Sequence, residues 1–274
     1  MRYLLLLIVL LVTVTNCTEQ GQSSAMTYNI RYATERDGIN SWEHRKNQLI
    51  QTKPDVFGIQ EGLHHQVQYL DSALTDYKYV GVGWDDGNTG GEYTAIFYKT
   101  NKLDVVDSDT FWLSETPDTV SVGWDASMER ITTWARFKER ESNKEFWVFN
   151  AHLDHIGAQS RLNSLKVIRQ FIDENNEDRL PIILMGDFNA EPESDPITYL
   201  NWLMDDTRTI SKRKPKGPVG TFHGFDPEHP LDRRIDYIFV SSGIEVLSYE
   251  AILEQNEGHF PSDHLPVLVG YLLD

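Results

Sequence analysis

The stretch Ile182-Ile183-Leu184-Met185-Gly186-Asp187-Phe188-Asn189 decides how the fold of this 274-residue chain is predicted. Its four apolar residues predict a buried strand, and the polar residues follow where that strand ends. Residues two apart on an extended segment point to the same side, so Asp187 and Asn189 should face one spot. A carboxylate at such a position is costly unless it pairs or holds a metal. A simple turn at Gly186-Asp187 is the alternative interpretation.

Four further polar clusters end or open apolar runs in the same way. Each brings a carboxylate, amide or imidazole group to the end of a predicted strand, where an isolated group of this kind would be unfavourable. We therefore expect one convergent site that handles phosphate with a divalent cation. The clusters are Asn29, Gln60-Glu61, Asn150-Ala151-His152 and Ser262-Asp263-His264.

The remaining strands mostly alternate in polarity, and helices lie between some of them. This pattern favours two packed sheets flanked by helices over a doubly wound parallel sheet. Glycine loops of the Walker or dinucleotide-binding type do not occur in the sequence. The predicted helices are Trp42–Thr52, Leu63–Leu74 and Gln159–Asn175. The predicted strands are Ser24–Arg31, Val56–Gln60, Tyr77–Val82, Tyr93–Tyr98, Val105–Leu113, Ile131–Lys138, Glu145–Ala151, Ile182–Met185, Arg234–Val240 and Leu265–Leu272.

The chain is acidic, with 25 Lys and Arg against 42 Asp and Glu and a net charge of −17. Such a surface repels duplex nucleic acid and an anionic bilayer, so tight duplex binding is not expected. A small phosphorylated substrate, such as a nucleotide, sugar phosphate or phospholipid headgroup, suits this charge better. The basic stretch 211–218 is predicted to be an exposed connection or, alternatively, a lid that faces the substrate. We expect residues 24–274 to form one domain and the protein to be a monomer.

The first 16 residues predict a signal peptide, because Arg2 precedes an apolar core that small and polar residues follow. This core is too short to span a membrane comfortably. Cys17 is the only cysteine and follows the core directly, which predicts lipidation of Cys17 at the start of a linker, residues 17–23. An ordinary signal peptide cleaved nearby is the alternative. Both interpretations predict export, either as a membrane-anchored lipoprotein or as a secreted protein.

Six motifs in register resemble the endonuclease/exonuclease/phosphatase superfamily, the DNase I-like phosphoesterases. The resemblance extends from Met26 to Leu272. It implies a four-layer α/β/β/α sandwich of two mostly antiparallel sheets flanked by helices, and metal-dependent hydrolysis of a phosphate ester. The motifs are Met26-Thr27-Tyr28-Asn29-Ile30-Arg31, Gly58-Ile59-Gln60-Glu61, Asn150-Ala151-His152-Leu153-Asp154-His155, Gly186-Asp187-Phe188-Asn189, Arg234-Ile235-Asp236-Tyr237-Ile238 and Ser262-Asp263-His264-Leu265-Pro266-Val267.

The resemblance and the residue chemistry together give expected roles in hydrolysis. Asp187 would orient or deprotonate the attacking water, while Asn189 would help to hold the phosphate. Glu61 and Asp263 offer the hard oxygen ligands that suit Mg²⁺ or Mn²⁺. Asn29 could give its amide oxygen to the metal or an amide proton to the phosphate. Glu61 is also placed to stabilise the dipole of the helix that follows it.

Histidine and arginine side chains complete the expected site. Asp236 should pair with His264 and favour the imidazolium form, which can stabilise charge on a pentacoordinate phosphate. The resemblance implies that His152 contacts the scissile phosphate. Arg31 and Arg130 are expected to grip phosphate oxygens, with a surface salt bridge as the alternative for each.

Aromatic residues suggest what else is bound. Trp84 and Trp124 lie in connections rich in glycine and aspartate, where they would form a rim that stacks on a sugar or a base. His155 is placed at the same rim. The expected protein is an exported, Mg²⁺-dependent phosphoesterase that hydrolyses a phosphodiester or phosphomonoester. The alternatives are a nonspecific extracytoplasmic nuclease with a basic groove, and a non-catalytic surface lipoprotein that binds glycan or phosphate and has lost a motif residue.

Overall fold

The computed structural model describes residues 22–49, 51–253, 255 and 259–274. The predicted signal peptide, Cys17 and the linker up to residue 21 lie outside the described residues. Among the residues described, no helix has the length and apolar character needed to cross a membrane.

Two six-stranded sheets form the centre of the fold, and strands and helices are numbered here in chain order. Within the sheets only the pairs β1/β2 and β9/β10 are parallel. The first sheet contains, in spatial order, β13 (Ile244–Ala251), β14 (Val267–Leu273), β1 (Ser23–Asn29), β2 (Val56–Gln60), β6 (Ile96–Lys99) and β4 (Tyr77–Val80). The second contains β11 (Asp205–Asp206), β12 (Asp236–Val240), β10 (Ile182–Asp187), β9 (Glu145–His152), β8 (Ile131–Glu139) and β7 (Leu103–Trp112).

Helices cover the outer faces of both sheets, which gives four layers. The inner faces pack on each other through apolar side chains such as Val56 of the first sheet and Phe137 of the second. This architecture confirms the predicted α/β/β/α sandwich. A two-stranded sheet joins β3 (Gly62–Leu63) to β5 (Glu92–Tyr93). The helices are α1 (Trp42–Arg45), α2 (His64–Ala73), α3 (Ala158–Asn175), α4 (Asp195–Asn201) and α5 (Thr207–Ile210), with a 3-10 helix at Glu35–Asn40.

Strand register brings the predicted polar clusters to one edge of the two sheets. The carboxyl ends of parallel strands lie together, so Asn29 of β1 pairs with Gln60 of β2. In the second sheet Asp187 of β10 lies opposite His152 of the parallel strand β9 and Asp236 of the antiparallel strand β12. Register thus aligns the polar clusters within each sheet, and packing of the two sheets brings four of the five clusters to this edge.

Several elements differ from the sequence prediction. The predicted strand Tyr93–Tyr98 is divided between β5 and β6, and the 3-10 helix, β3, α4, β11 and α5 were not predicted. The predicted helix Trp42–Thr52 is helical only over Trp42–Arg45, although Leu49 beyond it is still buried. Its apolar pattern therefore reflects burial of a turn rather than a longer helix. Strand β13 was not predicted, because a register irregularity between Val246 and Ser248 interrupts the alternation of its side chains.

The basic stretch 211–218 lies along the outer edge of β13. The backbone N–H groups of Lys212, Arg213 and Lys216 donate to carbonyl groups of Val246, Leu247 and Tyr249 in that strand. An edge strand exposes unpaired backbone groups that favour association with other chains. The stretch is exposed or half-exposed and has no regular secondary structure, which confirms the predicted exposed connection, and it also covers the edge of β13.

Asn150 joins the two sheets in the core. Its Nδ2 donates to the carbonyl oxygens of Ile59 at 2.9 Å and Ala95 at 3.0 Å, and its Oδ1 accepts from Gln60 Nε2 at 2.6 Å. A Cβ atom at Gly58 would lie 2.5 Å from the Asn150 side chain, so the amide occupies the space that this glycine leaves. The Gln60 and Asn150 members of the predicted polar clusters therefore stabilise the fold rather than line the site.

We expect Asn150→Ala to lower the free energy of unfolding by about 2 to 4 kcal/mol, because it removes three buried hydrogen bonds, to Ile59, Ala95 and Gln60. Urea denaturation followed by circular dichroism would measure this change. Asn101→Ala, at an exposed turn, is the matched control. A loss equal to that of the control would contradict the inter-sheet role.

Candidate active site

Left-handed backbone conformations direct the side chains of three predicted site residues towards one pocket. Arg31, Glu61 and Asn189 have φ values of 57°, 63° and 47° and follow the ends of β1, β2 and β10. Residues other than glycine rarely adopt positive φ, and such strain concentrates at functional sites. Gly186, with φ of 152°, lies so close to its neighbouring strand that a Cβ would be 1.9 Å from the Ala151 carbonyl oxygen.

Asp187 lies at the centre of the site and is buried. Its Oδ1 accepts from the backbone N–H of Asn189 at 2.9 Å, and its Oδ2 accepts from Asn29 Nδ2 at 3.0 Å. The Nε2 atoms of His152 and His264 each lie 3.7 Å from Oδ2. The structure thus brings together five of the residues that the sequence placed in one site.

The environment of Asp187 makes its carboxylate a stronger base than an ordinary aspartate. Burial and the nearby charge of Asp236 raise the pKa of Asp187 to about 6, although the positive charge of His264 opposes the shift. A general base is most effective when its pKa lies near the working pH. Asp187 therefore suits the predicted role in water activation.

Asp236 and His264 form the predicted pair. His264 Nδ1 lies 2.9 Å from Asp236 Oδ2, and both side chains are buried. Burial alone would lower the pKa of His264, but the carboxylates of Asp236 and Asp187 raise it to about 10. His264 is therefore an imidazolium at neutral pH, with its Nε2 directed towards Asp187.

His152 has the opposite charge state. Burial and the positive charge of Arg130 keep its pKa well below the ordinary value, so the ring is neutral. Its Nε2 lies 3.3 Å from Asn189 Nδ2, whose amide group also donates to the Leu153 carbonyl at 3.0 Å. Two histidines on opposite sides of Asp187 can thus act differently, one as a cation and one as a neutral hydrogen-bonding group.

Arg130 is buried and fixed by several partners. Its Nε lies 3.3 Å from Asp154 Oδ2, and its terminal nitrogens contact both ring nitrogens of His152 and, at 2.9 Å, His155 Nδ1. The guanidinium also lies 5.3 Å above the ring of Trp84. Trp84 is 7 % exposed and supports this arginine from below, so it is not the open stacking surface that the sequence suggested.

Acidic groups cluster on the opposite wall. Glu61 accepts from Asn29 Nδ2 at 2.9 Å and from the Tyr32 backbone N–H at 3.1 Å. Arg31 lies 3.8 Å from Glu61 and 4.0 Å from Asp263, so the two acids share one counter-ion. Burial raises the pKa of Asp263 and the negative charge of Glu61 adds to this shift, whereas His264 opposes it.

Two predicted residues on this wall have other partners than expected. The Asn29 amide oxygen accepts from the Arg31 backbone N–H at 3.0 Å, which leaves the amide nitrogen, rather than the predicted metal-binding oxygen, between two carboxylates. Arg31 forms a bidentate ion pair with Asp37 at 3.1 Å in addition to its contacts with Glu61 and Asp263. Its side chain therefore neutralises acids as well as lining the pocket.

The donor set fits a hard divalent cation. Buried carboxylates that concentrate negative charge are the ligands that Mg²⁺ and Mn²⁺ prefer, and Glu61 and Asp263 offer them beside a pocket. Ligand atoms of Asp187, Asp236 and His264 also lie within 4.8 Å of one another. In this second group Asp236 and His264 already bond to each other, so Glu61 and Asp263 are the better candidates.

The pocket between these walls has a volume of about 450 Å³. Trp124 is absent from its lining, whereas His155 belongs to it. The predicted site residues in its walls are Arg31, Glu61, Arg130, His152, His155, Asp187, Asn189, Asp263 and His264.

The sequence reasoning did not identify Glu92 and Asp154 as site residues. Glu92 Oε2 lies 4.0 Å from His152 Nδ1, and burial together with the charge of Glu61 raises the pKa of Glu92 to about 8, although Arg130 opposes this. A charged residue directly before the buried strand Tyr93–Tyr98 was the available signal. Asp154 belongs to one of the six motifs, but the sequence analysis assigned it no role. Its contact with Arg130 in the structure links it to the site.

Comparisons with known proteins agree with this geometry. A family model described as "Endonuclease/Exonuclease/phosphatase family" matches residues 26–264. The chain therefore belongs to the endonuclease/exonuclease/phosphatase family, whose members hydrolyse phosphate esters, and it is a hydrolase of this kind.

Three relatives illustrate the range of similarity. An endonuclease/exonuclease/phosphatase from Bacteroides vulgatus is 40% identical, with a TM-score of 0.87 and coverage of 92% of this chain and 99% of that one. A mannosyl-6-phosphatase from Bacteroides thetaiotaomicron is 36% identical, with a TM-score of 0.84 and coverage of 92% and 100%. Nocturnin from Drosophila melanogaster is 30% identical over 56% of this chain, which spans only 25% of that protein.

Proposed function

We propose that this protein is an exported, Mg²⁺-dependent phosphatase that hydrolyses the phosphate monoester of a small sugar phosphate. The observation that carries the proposal is the position of Asp187, whose Oδ2 lies 3.7 Å from both His152 and His264 in a pocket with acidic ligands opposite. A base, a cationic donor and a candidate metal site around one small pocket support hydrolysis at phosphorus.

The chain's own groups account for most of the reaction. Asp187 accepts a proton from the attacking water, and its hydrogen bonds from Asn29 and the Asn189 backbone fix the orientation of the carboxylate. His264, held by Asp236, presents a positively charged N–H to the negative charge that develops on the phosphoryl oxygens. When bound at Glu61 and Asp263, a divalent cation would polarise a phosphate oxygen.

The opposite side of the pocket holds and orients the phosphate. His152, whose ring is uncharged, and Asn189 lie on this side, where Asn189 Nδ2 contacts His152 Nε2 at 3.3 Å and donates to the Leu153 carbonyl oxygen. Arg130 and His155 lie behind and beside His152, where the guanidinium adds positive charge. This arrangement supports a tetrahedral phosphate held from several sides before attack.

Size, charge and similarity support a sugar monophosphate as the substrate. A pocket of about 450 Å³ suits a small molecule, and its acidic neighbours Glu61, Glu92 and Asp263 disfavour the backbone of a nucleic acid. The relative that is 36% identical over its whole length is a mannosyl-6-phosphatase. Export is supported by the signal-peptide pattern of residues 1–16, and Cys17 would supply a lipid anchor.

A substrate panel tests the proposal directly. Purified protein with Mg²⁺, Mn²⁺ or EDTA would be assayed for phosphate release from sugar phosphates, nucleotides, phosphodiesters, single- and double-stranded DNA and sphingomyelin. We expect metal-dependent turnover of sugar monophosphates with kcat/KM at least tenfold above that for the diesters. Preferred cleavage of DNA would instead support the nuclease alternative, and silence across the panel would support a binding protein.

The pKa values of the two central groups predict a bell-shaped pH dependence. Asp187 must be deprotonated to accept a proton, so kcat/KM should rise as the pH increases through about 6. His264 must be protonated, so kcat/KM should fall as the pH increases through about 10. Rates measured from pH 5 to 11 with a saturating metal would show both limbs. Asp236→Asn should move the alkaline limb to lower pH, and an unchanged limb would contradict the assignment to His264.

Metal binding should stabilise the fold as well as support turnover. A cation that binds only the native state at 100 times its Kd adds about 2.7 kcal/mol to the free energy of unfolding. For a chain of this size this corresponds to a rise in Tm of roughly 5 to 10 °C. Differential scanning calorimetry in EDTA and in Mg²⁺ would measure the rise.

Glu61→Gln should abolish this rise in Tm, because one of the two candidate carboxylate ligands is lost. Asp104→Asn, on the surface of β7, should retain it. Equal melting temperatures for the unmodified protein with and without Mg²⁺ or Mn²⁺ would count against a metal site at Glu61 and Asp263.

A further inference from the structure

A second and larger cavity lies next to the active-site pocket, between α3 and the edge strand β7. Its volume is about 930 Å³, roughly twice that of the pocket. Trp112, Trp124, Trp134 and Phe171 line it. Trp112 and Trp134 are buried, so the half-buried rings of Trp124 and Phe171 present its accessible aromatic surface. We call this cavity the aromatic groove.

Charged groups around the aromatic groove are all acidic among the described residues. Exposed carboxylates of Asp109, Glu115, Asp118 and Glu174 line it, together with the amide of Gln170, and its lining contains no lysine or arginine. Ionised carboxylates only accept hydrogen bonds, so they disfavour an anionic ligand and favour one with several O–H donors.

The walls and the rim together define a ligand class. Aromatic faces bind a flat apolar surface, while the carboxylates accept from hydroxyl groups. A neutral carbohydrate offers both, because its ring has C–H faces and its edge carries hydroxyl groups. The groove volume lies within the range of cavities that bind small ligands.

Two segments connect the aromatic groove to the active site. The first segment contains Trp84 and Gly87, and Gly87 lines the groove. Trp84 contacts Arg130 of the pocket through its ring. Its carbonyl oxygen accepts from Trp112 Nε1, on the groove side, at 2.9 Å. In the second, Trp124 lines the groove and Met128 lines the pocket. Four residues of chain span at most about 14 Å, so Trp124 lies within that distance of a residue that lines the pocket.

Trp124 is held in place by its surroundings. Its φ of 47° is unusual for a bulky aromatic residue, and its backbone N–H donates to Glu115 at 3.2 Å. The next residue, Asp125, accepts from the backbone N–H groups of Gln159 and Ser160 at the start of α3. A half-buried tryptophan with a backbone fixed on both sides offers a preorganised surface for stacking.

We propose that the aromatic groove binds neutral sugar units of an oligosaccharide whose phosphate group is hydrolysed in the active-site pocket. The hydrolysis part of this proposal rests on the proposed phosphatase function, whereas glycan binding in the groove does not. The groove selects substrates in which the phosphorylated sugar ends a longer chain, and Trp124 is the residue that contributes most to recognition.

Glycan binding is measured first, without catalysis. Isothermal titration of the purified protein would use phosphate-free tetrasaccharides of mannose, glucose, galactose and N-acetylglucosamine. We expect at least one to bind, and Trp124→Ala to weaken that binding at least tenfold. Trp202→Ala is the matched control, because Trp202 directly follows α4, is 84 % exposed and belongs to neither cavity. It should bind like the unmodified protein.

Substrate preference is measured second. The ratio of kcat/KM for a terminally phosphorylated oligosaccharide to that for the corresponding monosaccharide phosphate should fall at least tenfold in Trp124→Ala and remain unchanged in Trp202→Ala. A Tm within 2 °C of the unmodified protein would show that Trp124→Ala folds, and Asp118→Ala should weaken glycan binding as a second, independent substitution.

The two proposals fail in different ways. Glycan binding without turnover of any sugar phosphate would sink the phosphatase function and leave the groove assignment standing. Turnover of monosaccharide phosphates without binding of any neutral tetrasaccharide would overturn the groove proposal alone. Binding of a quaternary ammonium probe such as tetramethylammonium in place of the glycans would also overturn it, since the acidic rim would then recognise a cation.

Discussion

Replacing Asp187 with asparagine is expected to reduce kcat by about 10² to 10⁴-fold, the range that a positioned general base contributes. Asparagine has nearly the same shape and can still accept from one of the two donors that fix Asp187, the Asn29 amide and the Asn189 backbone. The loss would therefore report proton transfer rather than altered packing. Single-turnover phosphate release with saturating Mg²⁺ would measure it.

The same substitution should not destabilise the protein at alkaline pH. The pKa of Asp187 is about 6 in the folded state, above the ordinary value of 3.8. A raised carboxylate pKa means that ionisation costs stability, and this cost develops as the pH increases from about 4 to about 6. Above pH 6, ionised Asp187 lowers the free energy of unfolding by on the order of 2 to 3 kcal/mol, and Asp187→Asn removes this effect. Below pH 4 Asp187 is protonated, so the substitution has no such effect.

Calorimetry at pH 4 and pH 8 would separate these effects. We expect the Tm of Asp187→Asn to equal or exceed that of the unmodified protein at pH 8 but not at pH 4. Asp104→Asn, whose carboxylate is half exposed in an ion pair with Arg140, is the matched surface control and should keep full activity. Retained turnover in Asp187→Asn would exclude Asp187 as the base.

The second large effect is expected at the buried pair of Asp236 and His264. His264→Gln should lower kcat about 10² to 10³-fold, as the loss of one preorganised donor to a developing oxyanion does. Asp236→Asn should lower it by no more than His264→Gln does, because the histidine remains but loses the carboxylate that holds its charge.

A double-mutant cycle distinguishes a working pair from two independent residues. If Asp236 acts through His264, the double variant should be no slower than His264→Gln alone, which is strong non-additivity. His44→Gln, at an exposed position on α1, provides the control. Additive losses would show that Asp236 has a separate role and would contradict the pairing argument.

Much of the site could be predicted because its residues end strands whose order follows from local patterns. The strand Ile182–Met185 followed by Gly186-Asp187 is such a case, since an apolar run and a glycine mark where the side chain must emerge. The pairing of Asp236 with His264 was also predictable, because a charge inside a buried strand requires a partner. The resemblance supplied the register between motifs that are far apart in sequence.

The remaining features depend on contacts between distant segments. The backbone N–H of Arg31 donates to the amide oxygen of Asn29, so Asn29 directs its amide nitrogen into the site. Trp84 resembles an exposed loop residue in sequence, yet Arg130 covers it. Glu92 was missed because the strand that positions it has only two residues, which is too short to show an alternating pattern.

In this fold the strand ends that carry reacting groups are separate from the loops that line the aromatic groove. Asn29, His152, Asp187 and Asp236 are placed by the ladders of β1, β2, β9, β10 and β12, whose registers do not depend on loop length. Asp236 in turn holds His264. Gly87 and Trp124, by contrast, belong to connections outside those ladders. Insertions in these connections can change which substrates bind without moving the strand ends. Substrate range can therefore vary while the hydrolytic site stays the same.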